Sequence, residues 1–152
     1  MPIAKVFAAF AALLLATGTA DIKAAKLALG RSKNKEVIAF AKDMVRDHGA
    51  VNQKALALVK KLKVTPEDND TSRSLVQKAD EDRATLSKLH GAEFDKAYAN
   101  NEVAYHKTMN GALETTLIPD ASNPELKDLL STGLKIFQGH EQHADHLVET
   151  LK

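Results

Sequence analysis

Three imidazoles, His48, His106 and His140, recur on the apolar stripes of three different predicted helices, each with a carboxylate close by in the chain. Histidine beside Asp or Glu supports two kinds of chemistry. The pair can hold a divalent transition metal, or it can form a buried hydrogen-bonded couple with no ligand at all. Glu102 precedes His106 by four residues, a step that places both on one helix face. Asp95 and Tyr98 lie two to three turns upstream and extend that polar line. Asp47 is the immediate neighbour of His48, so its side chain points about 100° away, toward solvent or a partner. In His140-Glu141-Gln142-His143-Ala144-Asp145-His146, residues His140 and His143 share adjoining faces and His146 continues the row. Such a ladder suits Zn, Cu(II) or Ni, and the lack of any thiolate disfavours soft Cu(I). Exposed helical histidines also occur as plain surface polarity, and only His140 sits squarely on its stripe.

Several chemistries are excluded by spacing. His140-Glu141-Gln142-His143 lacks the second histidine of a zinc-protease helix, since position 144 is Ala. No Glu-x-x-His pair occurs, so the di-iron carboxylate arrangement cannot be built. No glycine-rich phosphate loop and no nucleophile-elbow serine is present.

The elements that must position these side chains are helical almost throughout. Val37, Ala41, Met44, His48, Val51, Ala55 and Leu58 advance by three and four residues, which predicts a helix from an Asn34 N-cap to about Lys63. The loop around Pro66 and its acidic cluster ends it. A shorter, highly charged helix is expected from Thr71 to about Leu89, with Gly91 suited to a left-handed cap. A long helix over Ala92 to Leu117 carries Phe94 or Asp95, Tyr98, Glu102, His106, Met109 and Leu113. The last begins at Ser122 or Asn123 with Pro124 in its first turn, and buries Leu126, Leu130, Leu134, Phe137, His140, Ala144 and Leu147. With a first helix ending near Gly30 and no alternating strand pattern, the expectation is an all-α, up-and-down or ferritin-like four-helix bundle with an additional short connecting helix.

One domain is the default for 152 residues. A net charge of +1, with 21 basic against 20 acidic residues interspersed, gives no footprint for nucleic acid. Cysteine is absent, so no disulfide reports the compartment. Residues 1–20 read in two ways. Lys5, the apolar run Val6 to Ala16 and the small residues Thr17 to Ala20 form a secretory-signal pattern, too short to span a bilayer and pointing to the periplasm or secretion, with the mature domain at 21–152. Alternatively, Phe10 to Ala28 starts the first buried helix.

The run Phe40-Ala41-Lys42-Asp43-Met44-Val45-Arg46-Asp47-His48, followed in order by Gly91-Ala92-Glu93-Phe94-Asp95-Lys96-Ala97-Tyr98, His106 and Gly139-His140, resembles the DUF4142 family from about residue 21 onward. That resemblance implies a bacterial, mostly exported, ferritin-like bundle with no established activity. It also implies that His48, Asp95, Tyr98, His106 and His140 are characteristic polar positions. The family's first helix usually carries a glutamate, and Asp21 stands at that place. A separate signal and spacer commonly precede that helix, whereas cleavage after Ala20 would leave only about ten of its residues here.

The expected metal set is therefore His48, His106, His140, Glu102, Asp95, Tyr98, Asp21 and His143. Three functions are compatible with it. The first is a non-enzymatic exported bundle that binds Zn, Cu(II) or Ni. The second is a metal-dependent enzyme with an open coordination position. The third is an envelope interaction or structural protein that docks through the Glu67–Asp70 loop or the His143/His146 face, its buried histidines holding register.

Overall fold

A computed structural model describes residues 3–152, so the first two residues of the 1–20 segment lie outside it. Five helices and no strands occur among the described residues: α1 Ile3–Arg31, α2 Lys35–Lys61, α3 Asp70–Leu86, α4 Gly91–Ala112 and α5 Pro124–Thr150. Between α4 and α5 the chain continues as a π-helical turn, Leu113–Leu117, and one more turn, Ile118–Asp120. Local chemistry sets most of these boundaries. The Asn34 carboxamide oxygen accepts from the backbone N–H groups of Glu36 at 2.9 Å and Val37 at 3.3 Å, satisfying two donors that the first turn leaves free. Asn69 and Ser72 form a reciprocal capping box on α3. Asn123 accepts from Leu126 N–H at 3.0 Å, and Pro124 occupies the adjacent position, where its missing N–H costs nothing. Gly91 takes the expected left-handed conformation, φ +58°, but as the first residue of α4.

Four helices surround one core in the order α1, α2, α5, α4, with neighbours antiparallel. The core is divided lengthwise. One apolar cluster includes Phe7, Leu14, Val51, Leu58, Leu113, Leu126 and Leu130. The other includes Ala25, Val37, Phe40, Met44, Phe94 and Leu147. Asp21, His48, Glu102, His106 and His140 fall between the two along their helices, as a buried polar layer.

The charged connector flanks the bundle, as expected. α2 and α4 run parallel, so the chain must return the length of the bundle between them. α3 makes that return, lying outside the bundle against α1 and α4. Only Ser72 and Leu86 of α3 are fully buried, which explains its weak apolar pattern.

α1 is continuous through the segment that the sequence leaves open between signal and helix. The Val6–Ala16 run is short, but the helix as a whole is long and apolar enough to cross a membrane. A signal sequence and a core helix pass the same test. Here 56% of its most apolar window is buried in the bundle, and Phe7, Ala11, Leu14, Asp21, Ala25 and Ala28 form its inward stripe. Gly18 on the same stripe leaves room for the Asn52 side chain of α2: a Cβ there would sit 2.4 Å from Asn52 Oδ1.

Candidate functional site

Each imidazole reaches the layer from its own helix: His48 from α2, His106 from α4 and His140 from α5. Their ring centroids form a nearly equilateral triangle, with separations of 5.6 Å, 5.3 Å and 5.4 Å. One ring nitrogen from each lies within 4.8 Å of the other two. His48 and His106 are completely buried, and His140 is 6% exposed.

The hydrogen bonds fix which nitrogens face inward. Nδ1–H of His106 donates to the Glu102 carbonyl at 2.9 Å, and Glu102 Oε2 is 3.3 Å from the same nitrogen. A carbonyl can only accept, so the lone pair resides on Nε2, which is buried and unpartnered. Nε2–H of His140 donates to Asp47 Oδ2 at 2.8 Å, leaving Nδ1 buried and unpartnered. His48 Nε2 approaches Asp21 Oδ2 at 3.0 Å, without the alignment of a hydrogen bond, and its Nδ1 has no partner. An imidazole anchored through one nitrogen to an oxygen and free at the other is the arrangement that metal-ligating histidines adopt. The Phe137 ring stacks on His48 at 4.6 Å and seals that side of the triangle.

A second triad shares His106. Ligand atoms of Asp21, Glu102 and His106 also lie within 4.8 Å of one another. Burial alone would raise the Asp21 carboxyl, but the His48 imidazole, with His106 and a hydrogen bond from Glu102, pulls it far below the ordinary carboxylate range. Glu102 moves the opposite way. Burial raises it, and the negative charge of Asp21 and their hydrogen bond raise it further. The two carboxyl groups are thus pushed in opposite directions, Asp21 toward the charged form and Glu102 toward the protonated one. Burial and the same two carboxylates keep the phenols of Tyr98 and Tyr105 protonated.

His140 supplies a pH test. Burial, against the opposing pull of Asp47, lowers its pKa from 6.5 to about 4. The unfolded chain thus takes up the proton first as the solution is acidified. Stability is full above pH 6.5, falls between 6.5 and 4, and levels off for this group below 4. A shift of this size corresponds to about 3 kcal/mol. Chemical denaturation of the metal-free protein across that window is expected to show the loss, and His140→Gln to flatten it. An unchanged slope in that variant would mean that other groups carry the acid sensitivity.

Of the eight residues expected at the site, the structure brings together His48, His106, His140, Asp21 and Glu102, with Tyr98 beside the carboxylates. Two are placed elsewhere. Asp95 lines a surface cavity with Arg31, His90 and Lys96. His143 is 40% exposed at its side chain, with its ring edge against Phe40 and its Nδ1 4.0 Å from Asp43 Oδ2. Sequence reasoning missed the partnership of Asp47 with His140 and the stacking of Phe137 on His48. Phe137 stands one turn before His140 on the stripe and could have been found. Asp47 carries no periodic signal.

An all-α bundle with buried His/carboxylate clusters that could hold a metal ion is the class that fold and site define. The chain matches the family described as Domain of unknown function (DUF4142) over residues 2–147, and it belongs to that family. The match takes in the N-terminal segment as well as the stretch carrying the motifs. No curated protein and no solved structure matches it.

Proposed function

We propose that this DUF4142 protein is an exported, ferritin-like bundle that binds one divalent transition ion, Zn, Cu(II) or Ni, through His48, His106 and His140, and that it does so as a binding protein rather than an enzyme. The observation that carries the reading is the convergence of three buried imidazoles whose outer nitrogens are held near oxygens and whose remaining nitrogens have no partner. Leaving a polar atom buried and unsatisfied costs roughly 1–3 kcal/mol. Three at one point form a standing penalty that an ion removes. Charge counting supports a single ion. The imidazoles are neutral donors, so a divalent cation among them needs two negative charges nearby. Asp21 supplies one, and Glu102 supplies the other on giving up its proton.

Support for the ferritin-like arrangement comes from the single crossover, made by α3, between parallel helices. Export rests on the apolar N-terminal segment and on the character of the family. The inward stripe of α1 favours its retention in the working protein.

Isothermal titration of the metal-free protein with each ion tests the proposal. Binding tighter than about micromolar, at one ion per chain, is expected, corresponding to about 8 kcal/mol or more. His106→Ala, which removes the residue common to both triads, should weaken it at least a hundredfold. Absence of micromolar binding, or binding indifferent to that substitution, would leave the histidines as a register device of the bundle.

A further inference from the structure

At the end of the bundle where α1 turns into α2 and α4 begins, a second group of charged side chains takes no part in the ion site. Arg31 closes α1, Lys33 stands in the turn before α2, and Asp95 and Lys96 lie near the start of α4. Together they line a cavity of about 460 Å³, a size typical of small-molecule sites. Asp95 belongs to neither triad of the polar layer.

Two independent observations point to a ligand there. The first is a buried acceptor. Asp95 is only 7% exposed, yet its Oδ1 has no hydrogen-bond partner, and no Lys or Arg pairs with it among the described residues. A carboxylate oxygen can only accept, so what it lacks is a donor. The second is a surplus of unclaimed donors on the same wall. The ammonium groups of Lys33 and Lys96 have no partner among the described residues, and Arg31 commits only Nη1, to the Leu89 carbonyl at 3.0 Å. α4 opens on His90, whose side chain caps nothing, whereas α2, α3 and α5 each open on a capping Asn. The N–H groups of Gly91 and Ala92, both residues of the cavity wall, therefore stay free at the positive end of a 22-residue helix.

We propose that this cavity binds a small phosphate monoester that also carries a hydroxyl group, of the kind represented by glycerol phosphate. Its phosphate sits among Arg31, Lys33, Lys96 and the free N–H groups of α4, and its hydroxyl donates to Asp95 Oδ1. Charge selects the anionic half. Three cations against one carboxylate, with His90 neutral, leave a surplus of two positive charges, which a monoester dianion balances. The forked guanidinium and the open helix terminus both suit phosphate oxygens. Asp95 selects the other half. An anion with no donor is repelled by that carboxylate and leaves Oδ1 unsatisfied, while a zwitterionic amino acid can satisfy Oδ1 but leaves the surplus charge in place. The proposal is independent of the ion site and survives or fails without it.

Isothermal titration of the full chain with glycerol 3-phosphate, sulfate and glycine tests it. Sulfate carries the two charges without a donor, and glycine carries donors without net charge. The ester is expected to bind about tenfold or more tighter than either, since a buried acceptor left unsatisfied costs at least that much. Asp95→Ala should erase the preference by weakening the ester while leaving sulfate equal or tighter. Lys33→Gln, at an exposed position, should weaken ester and sulfate alike. Should Asp95→Ala fail to fold, Asp95→Asn keeps the shape, removes the charge and should narrow the preference in the same direction. Absence of ester binding at millimolar concentration, equal affinity for ester and sulfate, a preference for glycine, or a preference for the ester that survives loss of the Asp95 carboxylate overturns the proposal.

Discussion

Zinc at a hundred times its dissociation constant is expected to raise the melting temperature of the protein by roughly 5–10 °C. Binding that is confined to the folded state adds about 2.7 kcal/mol at that excess, and 1 kcal/mol moves the midpoint of a domain of this size by about 2–4 °C. The restriction to the folded state follows from the structure. The ligands come from α1, α2, α4 and α5, with Asp21 and His140 separated by most of the chain, so no unfolded segment presents them together. His106→Leu should abolish the increment, because it removes the residue common to both triads while keeping an apolar side chain in the gap. Differential scanning calorimetry with and without zinc measures it. A midpoint that does not move in the wild type would show that the three nitrogens meet for packing alone.

Most of this site could be read from spacing. His48, His106 and His140 occur where a three- and four-residue apolar rhythm requires a core side chain, and a rhythm of that kind fixes a face of a helix. It does not fix depth along the bundle. Asp95, Tyr98, Glu102 and His106 form one line on α4, yet the rise of a helix sets Asp95 about 16 Å from His106 along the axis. Asp95 accordingly sits at the end of the bundle near Arg31 and Lys96, outside both triads. His143 follows His140 by three residues, and the accompanying rotation turns it to the flank against Asp43. Asp47 shows the converse limit. Its contact with His140 spans 93 positions and depends on how α2 packs against α5, which no local pattern encodes. The return path of α3 was hidden for a similar reason: a helix that covers only a seam buries little, and so shows little periodicity.

Removing residues 1–20 is expected to abolish cooperative folding. The deleted turns of α1 hold Phe7, Ala11, Leu13 and Leu14, all buried in the cluster with Val51, Leu58, Leu113 and Leu130. Loss of one buried Phe costs about 3–5 kcal/mol and loss of each Leu about 2–5, so these three alone approach roughly 10 kcal/mol, against a typical total stability of about 5–15 kcal/mol. The same cut would place Asp21 at a chain terminus and free it from its 3.0 Å approach to His48. Helical content by circular dichroism should fall, the thermal transition should broaden or vanish, and a dye that binds exposed apolar surface should light up. The outcome bears directly on the two readings of the N-terminus. The same residues cannot serve both as a discarded leader and as part of the core at this end of the bundle. A chain beginning at Asp21 that melts within a few degrees of the full-length protein would favour the leader; a collapsed one would make the segment part of the working molecule and tie the integrity of the metal layer to it.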